Sequence, residues 1–182
     1  DPTQVERFLD AFTDFRVLKG VEADILPCGR IDYPVEVLDR FDYVIASVHS
    51  RMGMNETQMT ERVIKALEDP HMAILGHPTG RLLLTREPYA IDMEAVMRRA
   101  GELGVAVELN ADPHRLDLDW RLARSARRHG VQIEIGPDAH SGGRDGVKAC
   151  NLDCTTAHDR EDRDSRGLSK AVVCDHGPDC PR

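Results

Sequence analysis

Ala73-Ile-Leu-Gly-His-Pro-Thr-Gly-Arg81 is a short apolar run that breaks off in histidine, proline and glycine. A buried strand that delivers an imidazole to the rim of a parallel barrel has this form. The same grammar recurs along the chain. Val17-Leu18 and then Val21 lead to Glu22, and Tyr43-Val-Ile-Ala-Ser-Val48 ends in His49. Val131-Gln-Ile-Glu-Ile135 leads into Asp138 and His140. Four apolar runs therefore finish on residue types that ligate metals.

Working outward, Asp1 and Pro2 open a helix whose stripe is Val5, Phe8, Leu9 and Phe12. Arg16 to Leu26 reads as the first strand, a helical turn follows Pro34, and Tyr43–Val48 reads as the second strand. Asn55 caps a helix with Met59, Val63, Ala66 and Leu67 inward, stopped at Asp69-Pro70. Strand Met72–Leu75 precedes His77. Asp92 caps a helix with Met93, Val96, Met97, Ala100 and Leu103 inward, ended by Gly104. Val105–Leu109 is the next strand, Trp120–His129 a helix closed by Gly130, and Val131–Ile135 the last strand. Arg99-Ala-Gly-Glu-Leu-Gly-Val105 and Arg127-Arg-His-Gly-Val131 repeat one helix-to-strand passage. Strict alternation of helix and strand means a parallel α/β sheet or barrel. Five strands are too few to close an eight-stranded barrel.

Bulk properties narrow the function. A chain of 182 residues suits one domain with a real core. A net charge of −8 and a pI near 5.5 argue against a free-standing nucleic-acid clamp, though not against a nuclease whose ions supply positive charge. No run approaches membrane-spanning length and no signal peptide opens the chain, so a cytoplasmic protein is expected. The opening Asp-Pro, leading directly into a helix, suggests that a segment precedes it. After Ser141 the character changes. Residues 141–182 lack Phe, Tyr, Trp, Ile, Met and Gln and are rich in Asp, Arg, Ser and Cys, which reads as a disordered, truncated or frameshifted tail. The division expected is residues 1–142 as the folded body and 143–182 as the tail. Cys150, Cys154, Cys174 and Cys180, with His158 and His176, miss the usual Cys-x2-Cys zinc spacing.

Parallel pairing would bring Glu22, His49, His77, Asp138 and His140 to one face. Mixed imidazole and carboxylate donors suit Zn²⁺, Mn²⁺ or Fe, and paired ions suit phosphoester hydrolysis. Each histidine alone is better explained as an ordinary strand-end residue; four such ends together favour ligation.

Gly20-Val-Glu-Ala-Asp-Ile-Leu26, Asp42-Tyr-Val-Ile-Ala-Ser-Val-His-Ser50, Gly76-His-Pro-Thr-Gly-Arg-Leu82 and Asp138-Ala-His140 resemble the later motifs of the PHP (polymerase and histidinol phosphatase) superfamily. Arg86-Glu-Pro-Tyr89 and Glu108-Leu-Asn-Ala-Asp-Pro-His-Arg-Leu-Asp117 narrow the resemblance to the C-terminal PHP domain of bacterial family-X DNA polymerases. It covers residues 1–142 and implies an incomplete, distorted seven-stranded β/α barrel. By position it implies that Glu22 bridges one ion completed by His49 and His77 and a second bound by Asp138, with His140 on a third. The implied activity is manganese- or zinc-dependent hydrolysis of DNA at 3′ ends, and in some members at abasic sites, through metal-activated water. The DNA would be held mainly by polymerase domains outside this chain. The family's opening His-x-His strand and following Asp-His motif do not occur here, so only the Glu22, His49 and His77 site is whole. Rival readings are a histidinol-phosphate type of phosphatase and an inactive metal-binding remnant.

Three further residues could meet substrate. Arg81 and Arg115 would hold a phosphate, with an ion pair to Asp117 or Asp119 the equal alternative. Asn110 would face the barrel mouth or cap a loop. His71, His114 and His129 read as surface residues, and Met59, Met93 and Met97 as core.

Overall fold

The computed structural model describes residues 18–138. The helix expected over the first twelve residues, His140 and the cysteine-bearing tail lie outside the described residues. Five strands follow in chain order: β1 (Gly20–Asp24), β2 (Tyr43–Ser47), β3 (Met72–Leu75), β4 (Ala106–Asn110) and β5 (Ile133–Gly136). The helices between them are α1 (Val35–Leu38), α2 (Glu56–Leu67), α3 (Met93–Leu103), a 3₁₀ turn (Trp120–Leu122) and α4 (Ala123–Arg128). All strand pairs are parallel and the spatial order is β1-β2-β3-β4-β5. Each crossover adds its strand on the same side as the last. That is the winding of a barrel wall; a doubly wound sheet would reverse its strand order.

Capping is as the sequence dictates. Asn55 and Gln58 form a reciprocal capping box on α2, and Asp92 accepts from the amides of Glu94 and Ala95 on α3. The two repeated passages both end in the same left-handed stop. Gly104 has φ 71° with Val105 donating to Ala100, and Gly130 has φ 68° with Val131 donating to Ala126. This corrects the expected strand starts. Val105 and Val131 are taken up by the helix ends, where both are buried, so β4 begins at Ala106 and β5 at Ile133. The first strand is also shorter than Arg16–Leu26. Its chain turns after Asp24, where Ile25 bridges antiparallel to Ile31.

The sheet has two unlike faces. Ala23, Val44, Ala46, Leu75 and Val107 lie on one, buried against Met59, Val63 and Ala66 of α2 and Val96, Met97 and Ala100 of α3. The three methionines expected in the core, Met59, Met93 and Met97, are buried. The other face carries Glu22, Asp24, Ser47, Glu108, Asn110 and Glu134, as the register pairs Asp24 with Ser47 and Glu108 with Glu134 show. Polar side chains on the inner face of a barrel wall, away from the helices, are where a site would be built.

Candidate metal centre

His77 sits two residues past the end of β3, and its backbone has φ 25°. A non-glycine residue held in this region carries strain of about 1–3 kcal/mol, so its surroundings must over-determine it. They do. Its amide donates to Glu108 Oε2 at 2.6 Å. Thr79, two residues on, donates its amide (3.0 Å) and hydroxyl (2.8 Å) to the buried Asp117 carboxylate. Tyr89 donates to the Pro78 carbonyl (2.8 Å) and Arg86 Nε to the Gly80 carbonyl (2.8 Å). Arg86-Glu-Pro-Tyr89 is thus a clamp on the His77 loop, and burial raises the Tyr89 phenol well above its usual range. Gly76 is needed for packing. A Cβ there would lie 2.3 Å from Ser47 Oγ and 2.9 Å from Ile45 Cγ2.

His49 follows β2 and Glu22 lies mid-way along β1, on the inner face. Their functional atoms meet those of His77 in a near-equilateral triangle. His49 Nε2 to His77 Nε2 is 3.2 Å, His77 Nε2 to Glu22 Oε1 is 3.2 Å, and His49 Nε2 to Glu22 Oε1 is 3.4 Å. The rings stand edge to face, with centroids 4.9 Å apart. A tetrahedral ion with bonds of about 2.0–2.1 Å has ligand edges of roughly 3.3–3.4 Å, so the triangle has the dimensions of one face of such a site. Tautomers agree. His49 Nδ1 is hydrogen-bonded to the Asp24 carboxylate, which turns Nε2 towards the triangle. Hydrogen bonds from His49 and His77 hold Glu22 well below the ordinary carboxylate range, and Glu22 in turn raises His49. This triad can hold a metal ion, and it is the one such group among the described residues.

The other expected residues are placed as follows. Asp138 lies two residues beyond β5, with φ 51°, and its carboxylate accepts from Asn110 Nδ2 at 3.0 Å with Arg115 Nε at 3.7 Å. It is not a member of the triad's cluster. Asn110, fully buried, is therefore a positioning donor to Asp138. Arg81 pairs with Asp119 at 2.9 Å and donates to the carbonyls of Arg115 and Leu116. Of its two expected roles, the ion pair is present in the fold. His140 lies outside the described residues. His71 is held between Asp39 and Asp69, His114 by Asp112 and His129 by Glu94, and none joins the triad.

Sequence reasoning missed Arg62. It lies on the buried face of α2 at 2% exposure and donates to the carbonyls of Ile25, Leu26 and Ser50. One guanidinium thereby joins the loops that follow β1 and β2, the strands carrying Glu22 and leading to His49. Its place among Met59, Val63 and Ala66 in the apolar periodicity was the available signal. Asp24 and Glu108 were passed over too. Both sit on the inner-face alternation, two residues from Glu22 and Asn110 respectively.

A parallel α/β sheet with two histidines just past its strand ends and a carboxylate on its inner face, their functional atoms together, has the layout of an enzyme active site in this architecture. Comparison with known proteins agrees with that class. The chain is 45% identical over 130 residues to the DNA polymerase/3′-5′ exonuclease PolX of Bacillus subtilis, covering 71% of this chain and 23% of the polymerase. It is 34% identical over 134 residues to a probable phosphatase of Caldanaerobacter subterraneus, covering 68% of this chain and 50% of the phosphatase. A probable phosphatase of Clostridium acetobutylicum is 34% identical over 137 residues, covering 70% and 53%. The chain thus spans about half the length of the phosphatases it matches and about a quarter of the polymerase. No family model matches it. Among the described residues no helix is long and apolar enough to cross a membrane.

Proposed function

We propose that the chain carries the metal-binding part of a PHP-type phosphoesterase that acts on DNA 3′ ends as a 3′–5′ exonuclease. The observation that carries this reading is the triangle of Glu22 Oε1, His49 Nε2 and His77 Nε2, with edges of 3.2–3.4 Å. The 45% identity to an exonuclease-bearing polymerase supports DNA as the substrate class. Glu22, His49 and His77 would hold a divalent ion, Mn²⁺ or Zn²⁺. Such an ion polarises a phosphoryl oxygen and makes hydroxide available near neutral pH. The chain's own contribution is orientation. Asp24 holds His49 in one tautomer, Glu108 fixes the backbone of His77, and Asn110 with Arg115 aims Asp138. Asp138 and His140 are proposed ligands of further ions only where additional donors complete their sites.

The probable phosphatases favour a second reading, hydrolysis of a small phosphomonoester. Both are tested on the chain loaded with Mn²⁺ or Zn²⁺ and desalted, by metal analysis, by release of nucleotides from end-labelled DNA and by turnover of p-nitrophenyl phosphate. One ion per chain, lost in His77→Ala and His49→Ala, is expected, with DNA degraded faster than the monoester. A folded chain that retains no metal would sink the site assignment. Turnover of the monoester alone would replace the exonuclease by the phosphatase.

A further inference from the structure

One face of the molecule has no role in the triad. The 3₁₀ turn and α4 together read Trp120-Arg-Leu-Ala-Arg-Ser-Ala-Arg-Arg128, four arginines in nine residues of a chain whose net charge is −8. Ser125 and Ala126 point to the core, at 5% and 1% exposure, which leaves the arginines outside. Trp120 is 73% exposed, although a tryptophan is ordinarily among the better buried residues. Arg121 is held by Asp119 at 2.9 Å and Arg128 by Glu94 at 3.3 Å. Arg124 and Arg127 have no acidic partner among the described residues. The strip begins beside the loop that follows β3, because the Asp119 that holds Arg121 also holds Arg81, four residues past His77. From there α4 carries it away along the outside of the wall.

We infer that this strip is a track for single-stranded DNA, in which Arg124 and Arg127 bind backbone phosphates and Trp120 stacks on a base beside the metal centre. The inference rests on the exonuclease reading and names how the last nucleotides of the strand reach the site. Guanidinium groups match phosphate oxygens in paired hydrogen bonds, and an exposed aromatic among them offers a stacking platform that tolerates any base. An acidic protein surface would use the arginines and leave the indole without a function.

Trp120 is the chain's sole tryptophan, so its fluorescence reports the contact directly. The test is titration of the whole chain with oligothymidylate in EDTA, so that binding is read without hydrolysis. Saturable quenching is expected. The double variant Arg124→Glu/Arg127→Glu should weaken binding tenfold or more with an unchanged melting curve. Neutralising those two positions as Arg124→Gln/Arg127→Gln should reduce the log K against log salt slope by about 1.4, at roughly 0.7 for each phosphate no longer neutralised. Trp120→Ala should weaken binding by at least about fivefold, read by anisotropy of a labelled oligonucleotide. No quenching at saturation, or unchanged affinity in the double variant, would overturn the track. Equal quenching by polyglutamate would replace DNA by an acidic protein partner. Failure of the two readings is separable. Oligonucleotide binding on this strip by a chain that degrades no DNA would keep the track and remove the exonuclease. Undiminished degradation of DNA by Arg124→Glu/Arg127→Glu would do the reverse.

Discussion

Replacing Glu134 by glutamine should stabilise the fold at pH 8 and leave it nearly unchanged at pH 5. Glu134 lies on the inner face of β5, in register with Glu108 of β4. Its Oε2 is buried with no hydrogen-bond partner among the described residues. Both its oxygens lie 3.3 Å from the point where a Cβ on Gly136 would stand, and Glu108 Oε1 lies 3.1 Å from the same point. Burial first, and repulsion from Glu108 second, push the Glu134 carboxyl from an ordinary 4.5 up to about 7. The sign follows. Below pH 4.5 the group is protonated in both folded and unfolded chains and nothing is lost. Between 4.5 and 7 the unfolded chain releases the proton more readily, so stability falls as pH rises, and above 7 the loss is complete. The full displacement corresponds to about 3.4 kcal/mol, but Glu134 is only half buried and solvent screening reduces this to about 1–2 kcal/mol. Urea denaturation of parent and Glu134→Gln in EDTA at pH 5, 6, 7 and 8 measures it. The variant's advantage should grow across that series to about 1–2 kcal/mol. A difference between the two proteins that stays flat from pH 5 to 8 would refute the argument.

Arg62→Met keeps the apolar stem but orphans three carbonyls, and should lower stability by about 3 kcal/mol in urea; a loss below about 1 kcal/mol would show that water replaces the guanidinium. Asp24→Asn should leave melting nearly unchanged yet weaken Mn²⁺ or Zn²⁺ binding about 10- to 100-fold by calorimetry, since the His49 ring loses its orienting carboxylate. Equal affinity would remove Asp24 from the site. Gly76→Ala forces a methyl into Ser47 and Ile45 and should destabilise by about 1–3 kcal/mol; a neutral result would mean that β3 can shift without strain.

Some features were decided by local chemistry and are legible in the sequence alone. Asn55 and Asp92 cap their helices because short polar side chains satisfy free amides wherever a helix begins. Gly104 ends its helix because it adopts a positive φ without a Cβ clash. The parallel α/β class follows from alternating apolar runs, and Glu22, His49 and His77 stand out because each departs from such a run. Register is another matter. That Asp24 meets His49, that Glu108 holds the amide of His77 and that Asn110 meets Asp138 depends on how all five strands, β1 to β5, align side by side. Arg62 reads as a break in an apolar stripe until the carbonyls of Ile25, Leu26 and Ser50 are placed around it. Arg81 illustrates the same divide, because a phosphate contact and an ion pair use identical chemistry and only the position of Asp119 shows that the pair forms. Sequence alone determined which groups are available at each strand end, since that depends on neighbours within a few residues. Tertiary structure decided which of them meet, because hydrogen bonds between residues 25 to 55 positions apart exist only once the strands are paired.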